Sequence, residues 1–554
     1  MAEIIALRPL LPLLIPLFGA WVAWVLPASG FLARVRRGLH ILVLLVTSML
    51  LVLAGLRGGE ALSLPFWGQL FEFGDGLVFS LDLLGLSFAL LLSGVLAVIS
   101  LSMATRPMER FDAVTSLGLV GSAIAVCLAG NLLTLCLAWV MMDLALFGID
   151  LIRVPEESIP HGLRNVLTNL LSTFALVATA GLLMMERGGT RLVGLALAGR
   201  PLQLLMAAAL LRLSVYPLPG SVRRRWEAHL GSLATGSYLW LRLISLAGDN
   251  LPGASWLVPF CGWTLLITAL LASLSPDFAT ALPYLVLNGL AMIVCAPMIE
   301  PRTGIWVALA VAINLSFCLA VIRADVQVRP VGRWGRWMRL PSAIGLGSLV
   351  GWPLTLGFVA HWTFLKLCWT TGWRSFMLLA TLSYLLASAP IWNRLRQVGH
   401  EVRERGRSPL AGVWVALGCV VLGAAALIAL GIAPTLLQHP WPKLSGILRP
   451  PTLLALLKGD IRQIGILLLT VVIVPILGGY ALQRLWANAP RWLVRAADAL
   501  SVLLELDWLY LAIEGVWARV RFLWDQAAIA VERTLCLSWI LLWCLMVTLF
   551  LLGK

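Results

Sequence analysis

Apolar residues along the chain come in long blocks separated by short polar stretches, not in the strict alternation of a half-buried strand. A bilayer-crossing helix needs about 20 such residues. Sixteen blocks qualify: 4–27, 38–56, 82–104, 112–129, 131–152, 163–185, 201–219, 227–247, 255–273, 278–298, 304–323, 341–369, 375–393, 410–432, 461–482 and 535–552. Lipid cannot satisfy backbone polar groups, so a spanning chain of this kind is helical. The pattern predicts an all-α polytopic membrane protein with about 16 transmembrane helices. The first block lacks a basic leader and is too long for a signal-peptide core, which predicts a retained helix.

Three regions depart from this pattern. Residues 57–81 contain short alternating stretches (Leu-Phe-Glu-Phe, then Leu-Val-Phe-Ser), which predict a small β-hairpin. Residues 433–460 form a proline-rich loop. Residues 483–534 mix Arg, Asp and Glu with Leu and Trp at helical spacing. They predict an amphipathic lateral helix on the membrane surface, with Trp508, Trp517 and Trp524 at headgroup level. As one continuous helix it would reach roughly 75 Å.

Two blocks are interrupted from within. Arg212-Leu-Ser-Val-Tyr-Pro-Leu-Pro-Gly220 breaks the seventh, with Pro217 and Pro219, and Gly351-Trp-Pro-Leu-Thr-Leu-Gly357 breaks the twelfth, with Pro353 and Gly357. Broken helices five segments apart predict two inverted five-helix repeats with polar work at the breaks. Proline kinks that membrane helices tolerate are the simpler alternative.

Composition sharpens this picture. Of 554 residues 60% are hydrophobic and only 12% charged, which excludes a soluble enzyme, a disordered chain and a collagen-like fibre. The net charge of +15 comes from 37 Arg and 4 Lys against 26 acids. With the N-terminus outside, the inner loops up to residue 409 hold nineteen Arg and the outer loops six. That asymmetry orients the chain and, with an even number of spans, places both termini on the outer side of the cell (inner) membrane. No basic stretch is interleaved with exposed aromatics, so no nucleic-acid partner is expected. The nine cysteines form no CxxC pair and the six histidines no HxxxH, so no metal site is expected. No nucleotide-binding glycine pattern occurs in strand–helix context. No cofactor and no catalytic centre of the chain's own are expected.

Several motifs resemble one family. Gly130-Asn-Leu-Leu-Thr-Leu135 followed by Trp139-Val140, Arg212 with Pro217 and Pro219, and Thr235-Gly-Ser-Tyr-Leu-Trp-Leu-Arg242 form a first set. Ser275-Pro-Asp277 with Tyr284, and Ser348-Leu-Val-Gly-Trp-Pro353 with Gly357-Phe358, form a second. Together they resemble the antiporter-like membrane subunits of complex I (NADH-quinone oxidoreductase), of Mrp cation/proton antiporters and of membrane-bound hydrogenases. The layout with a C-terminal lateral element is similar to that of the long distal subunit, and Leu506-Asp-Trp-Leu-Tyr510 resembles a phrase near the start of that element. The resemblance implies 1–111 as N-terminal helices with an outer hairpin loop, 112–247 and 248–395 as two antiporter-like repeats, and 396–482 as additional helices. It further implies 483–534 as the lateral helix and 535–554 as a terminal span.

The departures bear on function. The family pairs a Glu in the fifth segment with a Lys in the seventh, and places a central Lys in the eleventh; an intramembrane charge is costly and normally kept for function. Here the Glu position is Val140, the central Lys position is Cys318, the family His four residues earlier is Asn314, and a Lys of the tenth segment is Ala279. Arg212 keeps a charge, but Arg does not readily release its proton. Asp143, three residues after Val140, lies near enough on the helix to pair with Arg212; simple neutralisation of Arg212 is the alternative to proton carriage. His361 and Lys366 in the twelfth segment and His229 in the eighth are further ion-pathway candidates; a satisfied buried His and a snorkelling Lys are their structural alternatives. Asp82 reads as a helix cap, and Asn131 and Thr134 as packing residues.

The expected function is a membrane-arm subunit of a complex I-like or Mrp-like assembly, moving protons or cations through coupling to partner redox subunits, with weakened conduction. Two alternatives stand beside it: a non-conducting structural subunit of the same complex, and a partnered ion-coupled transporter on the same fold. The expected partners are other membrane subunits and the lipid bilayer.

Overall fold

A computed structural model describes residues 10–27, 30–57, 62–64, 76–151, 159–187, 199–213, 226–247, 254–328, 337–397, 410–437, 461–486, 491–504 and single positions between 512 and 526. The helices are α1 (Leu11–Val25), α2 (Gly30–Arg57), α3 (Leu83–Ser102), α4 (Arg110–Leu128), α5 (Leu132–Leu151), α6 (Ile159–Arg187) and α7 (Gly199–Leu213). There follow α8 (Trp226–Ala247), α9 (Ala254–Leu274), α10 (Phe278–Ile299), α11 (Pro301–Asp325), α12 (Leu340–Leu349), α13 (Leu356–Thr370), α14 (Arg374–Gln397) and α15 (Leu410–Ile432). Then α16 (Ile461–Leu468) runs through a π-helical stretch, Leu469–Gly478, into α17 (Gly479–Trp486), and α18 spans Arg491–Leu504. Among the described residues eleven helices are long and apolar enough to cross a membrane, and the shorter α1 is apolar as well. The protein is a polytopic all-α membrane protein.

Where residues are described, each predicted block from 4–27 to 410–432 overlaps one helix, except 341–369, which holds two; block 461–482 holds α16, the π-helical stretch and α17. The block at 535–552 and Trp508, Trp517 and Trp524 lie outside the described residues. So do residues 214–225, and with them Pro217 and Pro219. Residues 57–81 hold an antiparallel strand pair, β1 (Leu62–Leu64) with β2 (Leu77–Phe79). The second predicted strand, Leu-Val-Phe-Ser, coincides with β2; the first, Leu-Phe-Glu-Phe at 70–73, lies outside the described residues, and the partner of β2 comes from further back in the chain.

The first 497 residues form one compact unit. At its centre α11 is buried along almost its whole length and packs on α3, α8, α10, α12, α13 and α15. The contact of α8 with α11 joins the α4–α8 bundle to the α9–α13 bundle. The second unit begins at Asp498; its described positions include helical residues 518–522, where Arg521 and Asp525 lie 3.9 Å apart one turn along.

The twelfth segment breaks between Leu349 and Leu356. Gly351 there has φ +80°, a conformation that glycine adopts without a Cβ clash, and Leu354 has φ +66°. Thr355 then caps α13, its hydroxyl accepting from the Phe358 amide. Gly357 brings α13 against α12 so closely that a Cβ there would sit 1.7 Å from the Ser348 carbonyl oxygen. The predicted break at Pro353 and Gly357 is therefore a full interruption, with tight contact between the two helix pieces.

Candidate functional site

The first polar centre lies where α5, α6 and α7 meet. Arg212 lies in the last described turn of α7 and is fully buried, and its Nη1 is 2.6 Å from Asp143 Oδ1. Thr173 on α6 donates its hydroxyl to Asp143 Oδ2 at 2.5 Å. The Arg212 guanidinium lies over the ring of Trp139, 4.5 Å from its centre. A buried guanidinium cannot shed its charge, so it requires the carboxylate; the indole face adds a second, weaker attraction. Ser172 donates to the Ala208 carbonyl at 2.8 Å and so fixes α6 to α7 beside the pair.

Helix geometry explains why the acid stands at 143 and not at 140. Val140 is 42% exposed and belongs to the outward stripe of Leu137, Met141, Leu144 and Phe147. Asp143 sits at the edge of that stripe, turned toward α6 and α7, with 13% of its side chain exposed.

The second polar centre lies at the break between α12 and α13 and holds no charged side chain. Asn314 on α11 donates to the Ser348 carbonyl at 3.0 Å and accepts from the Ser348 hydroxyl at 2.6 Å. Cys318 reaches the same amide oxygen at 3.7 Å. His361 Nδ1 meets the Gly357 carbonyl at 2.6 Å, and its ring stands edge-on to Tyr384 at 4.3 Å. On α10, Asn288 donates to the Leu265 carbonyl and to the Ser383 hydroxyl, both at 2.7 Å. Asn288, Asn314, His361 and Tyr384 face one small cavity with room for about one water.

The sequence candidates are thus sorted. Asp143 and Arg212 come together; His361 and Gly357 come together at the break; Pro353 is exposed on the break loop. Lys366 is half-buried on α13, five residues beyond His361. His229 lies in α8, with its side chain outside the described residues. Asp82 caps α3 as expected, accepting from the Gly85 amide at 2.7 Å, and it also pairs with Arg242. Asn131 and Thr134 do more than pack. Asn131 donates to the Gly76 carbonyl at 2.8 Å, and Thr134 accepts from the Val78 amide at 2.9 Å, which clamps the hairpin onto the α4–α5 turn. Sequence reasoning passed over Trp139 as a partner, Thr173, Ser348, Asn288 and Tyr384. Trp139 and Ser348 were visible inside the quoted motifs; the others are single polar groups in apolar helices. Among the described residues no cluster of metal-ligating side chains forms.

Fold and site define a helical membrane protein that keeps one buried ion pair in one bundle and a neutral polar cluster in the next. Three solved structures share the fold. A chain of the Mrp complex from Dietzia sp. DQ12-45-1b matches with a TM-score of 0.71 at 19% identity, over 94% of this chain and 62% of that one. This chain therefore spans less than two thirds of the Mrp-complex chain. A chain of the membrane-bound sulfane sulfur reductase, an archaeal respiratory membrane complex, matches at 0.68 and 16% identity, over 94% and 96%. A chain of respiratory complex I from Thermus thermophilus with bound NADH matches at 0.64 and 18% identity, over 79% and 98%. No protein-family model and no curated protein matches the sequence. The resemblance drawn from the motifs holds at the level of the fold.

Proposed function

We propose that the chain is a membrane-arm subunit of a multisubunit assembly of the complex I or Mrp type, in which it moves protons or cations weakly through coupling to partner redox subunits. The observation that carries this reading is the Asp143–Arg212 pair, buried at the α5–α7 junction of a fold that matches such assemblies over 94% of the chain. In this reading Asp143 is the ion-path carboxylate of the first repeat, Thr173 donates its hydroxyl to it, and Arg212 is its fixed counter-charge. The second repeat passes protons through the water-sized cavity beside His361, with Lys366, His229, the sequence positions Pro217 and Pro219, and the helix break at Pro353 and Gly357 as further pathway elements. The two repeats are residues 112–247 and 248–395, and both termini face the outer side of the inner membrane.

The neutral lining around Asn314 and Cys318 favours a second reading, a non-conducting structural subunit of the same assembly. Mild-detergent purification from the native membrane is expected to bring several membrane subunits with the chain; a lone, monodisperse protein would sink both readings. In proteoliposomes, wild-type protein is expected to give low proton flux that Asp143→Asn and His361→Ala each reduce. Flux at the empty-liposome level in all three selects the structural reading.

A further inference from the structure

The end of the bundle where α2 starts and α3 passes into α4 is built around a buried arginine. Arg36 is only 3% exposed, and its guanidinium donates to the carbonyls of Leu26 at 3.3 Å, Pro27 at 2.9 Å and Met108 at 3.3 Å. One cation so joins the turn after α1 to the loop before α4. Two more bonds fasten the same loop to α2: Met108 N to the Ala33 carbonyl at 3.1 Å, and Arg37 Nε to the Arg106 carbonyl at 3.4 Å. Arg34 and Arg106 are thereby held exposed at one junction. Arg110, at the start of α4, lies over the Trp24 ring at 4.3 Å, and its Nε is buried without a hydrogen-bond partner.

The junction thus gathers five arginines, Arg34, Arg36, Arg37, Arg106 and Arg110, against two carboxylates, Glu109 and Asp112. Beside it Trp21, Trp24, Phe31 and Val35 are exposed, an apolar and aromatic border of the kind that sits at the headgroup level of a bilayer. Excess fixed positive charge next to such a border fits an anion that arrives attached to acyl chains. Guanidinium forks bind phosphate oxygens in pairs, which ammonium groups do not, and basic pockets between membrane helices hold anionic headgroups. We infer that this junction binds the phosphate of an anionic phospholipid headgroup, with Arg34, Arg106 and Arg110 facing the phosphate and Arg36 as the positioning residue that sets the loop.

The test is thermal unfolding of the full chain in mild detergent, with added phosphatidylglycerol, phosphatidylcholine or inorganic phosphate. Phosphatidylglycerol is expected to raise the unfolding temperature more than phosphatidylcholine does. Arg34→Gln/Arg106→Gln is expected to lose at least half of that difference, and Arg34→Lys/Arg106→Lys to lose a smaller share. Arg302→Gln/Arg374→Gln, which removes the same charge from the opposite end of the bundle, is expected to keep all of it. Equal stabilisation of wild type by both lipids overturns the inference without any variant. So does equal loss in the two Gln pairs, which would mean net charge and not a site. Inorganic phosphate reproducing the full shift assigns the junction to a free anion and also overturns it. An unchanged lipid shift in Arg34→Gln/Arg106→Gln, with loss of a co-purifying acidic polypeptide, gives the face to a protein partner and overturns it as well.

Discussion

The α5–α7 junction and the α12–α13 break solve the same problem in opposite ways. Each must keep polar side chains inside an apolar bundle. The first uses one strong, mutually dependent pair: a fully buried guanidinium and a carboxylate 2.6 Å away. The second uses many weak neutral bonds, in which Asn314, Ser348, Cys318, Asn288 and Ser383 each lean on backbone carbonyls or on one another. Removing half of an ion pair strands a charge that water cannot reach, whereas removing one amide or hydroxyl strands a dipole. The first centre is therefore brittle and charged, the second tolerant and neutral.

That contrast is tested most severely at Asp143. Asp143→Leu leaves Arg212 uncompensated and is expected to cost about 3–5 kcal/mol of stability, while Asp143→Leu/Arg212→Met recovers most of the loss. Equal loss in the single and double variants, measured by chemical unfolding in detergent, would break the comparison. In the second centre the largest response is steric: Gly357→Ala forces a Cβ onto the Ser348 carbonyl and is expected to cost about 1–3 kcal/mol by the same measurement.

The spans were legible because a bilayer imposes length and apolarity on each of them. Asp143 was legible as a possible partner of Arg212 because helical spacing puts residue 143 within reach; that the two pair is shown only by the structure. The motif position itself misled: Val140 matches the family Glu in register but faces outward. Thr173 and Tyr384 were illegible because each acts through a contact with the neighbouring helix, and a hydroxyl in an apolar helix gives no sign of its partner. The fifteenth predicted block runs on as helix past residue 482 to Trp486, where Gln483 is buried and Arg484 lies over Tyr480, and the next described helix begins at Arg491.

Two smaller effects sharpen the comparison. Asp82 and Asp277 both cap helices, but Asp82 also pairs with Arg242, while Asp277 receives only the amide and hydroxyl of Thr280. Those bonds hold the Asp277 carboxyl below the usual carboxylate range. A depressed value means its contribution is present above the unfolded-state pKa and lost as pH falls through the folded one. Asp277→Ala is expected to cost about 1 kcal/mol at neutral pH and nothing once wild-type Asp277 is protonated, as unfolding measured across acid pH will show. At the break itself, Leu354→Gly removes the strain of a positive φ on an exposed side chain. It is expected to raise stability by up to about 1 kcal/mol, the Cβ strain being partly offset by the backbone entropy of glycine. A clear loss would mean that Leu354 makes contacts worth more than its strain.

The clamp on the hairpin carries a consequence for biogenesis. The bonds from Asn131 to Gly76 and from Thr134 to Val78 join positions 55 and 56 residues apart. Strand β2 leaves the ribosome well before the turn that receives it, so it docks only after α3 and α4 have both been threaded through the bilayer. A skipped insertion would leave that turn on the far side of the membrane, out of reach of the strand. These two bonds can therefore form only once α3 and α4 are both in place.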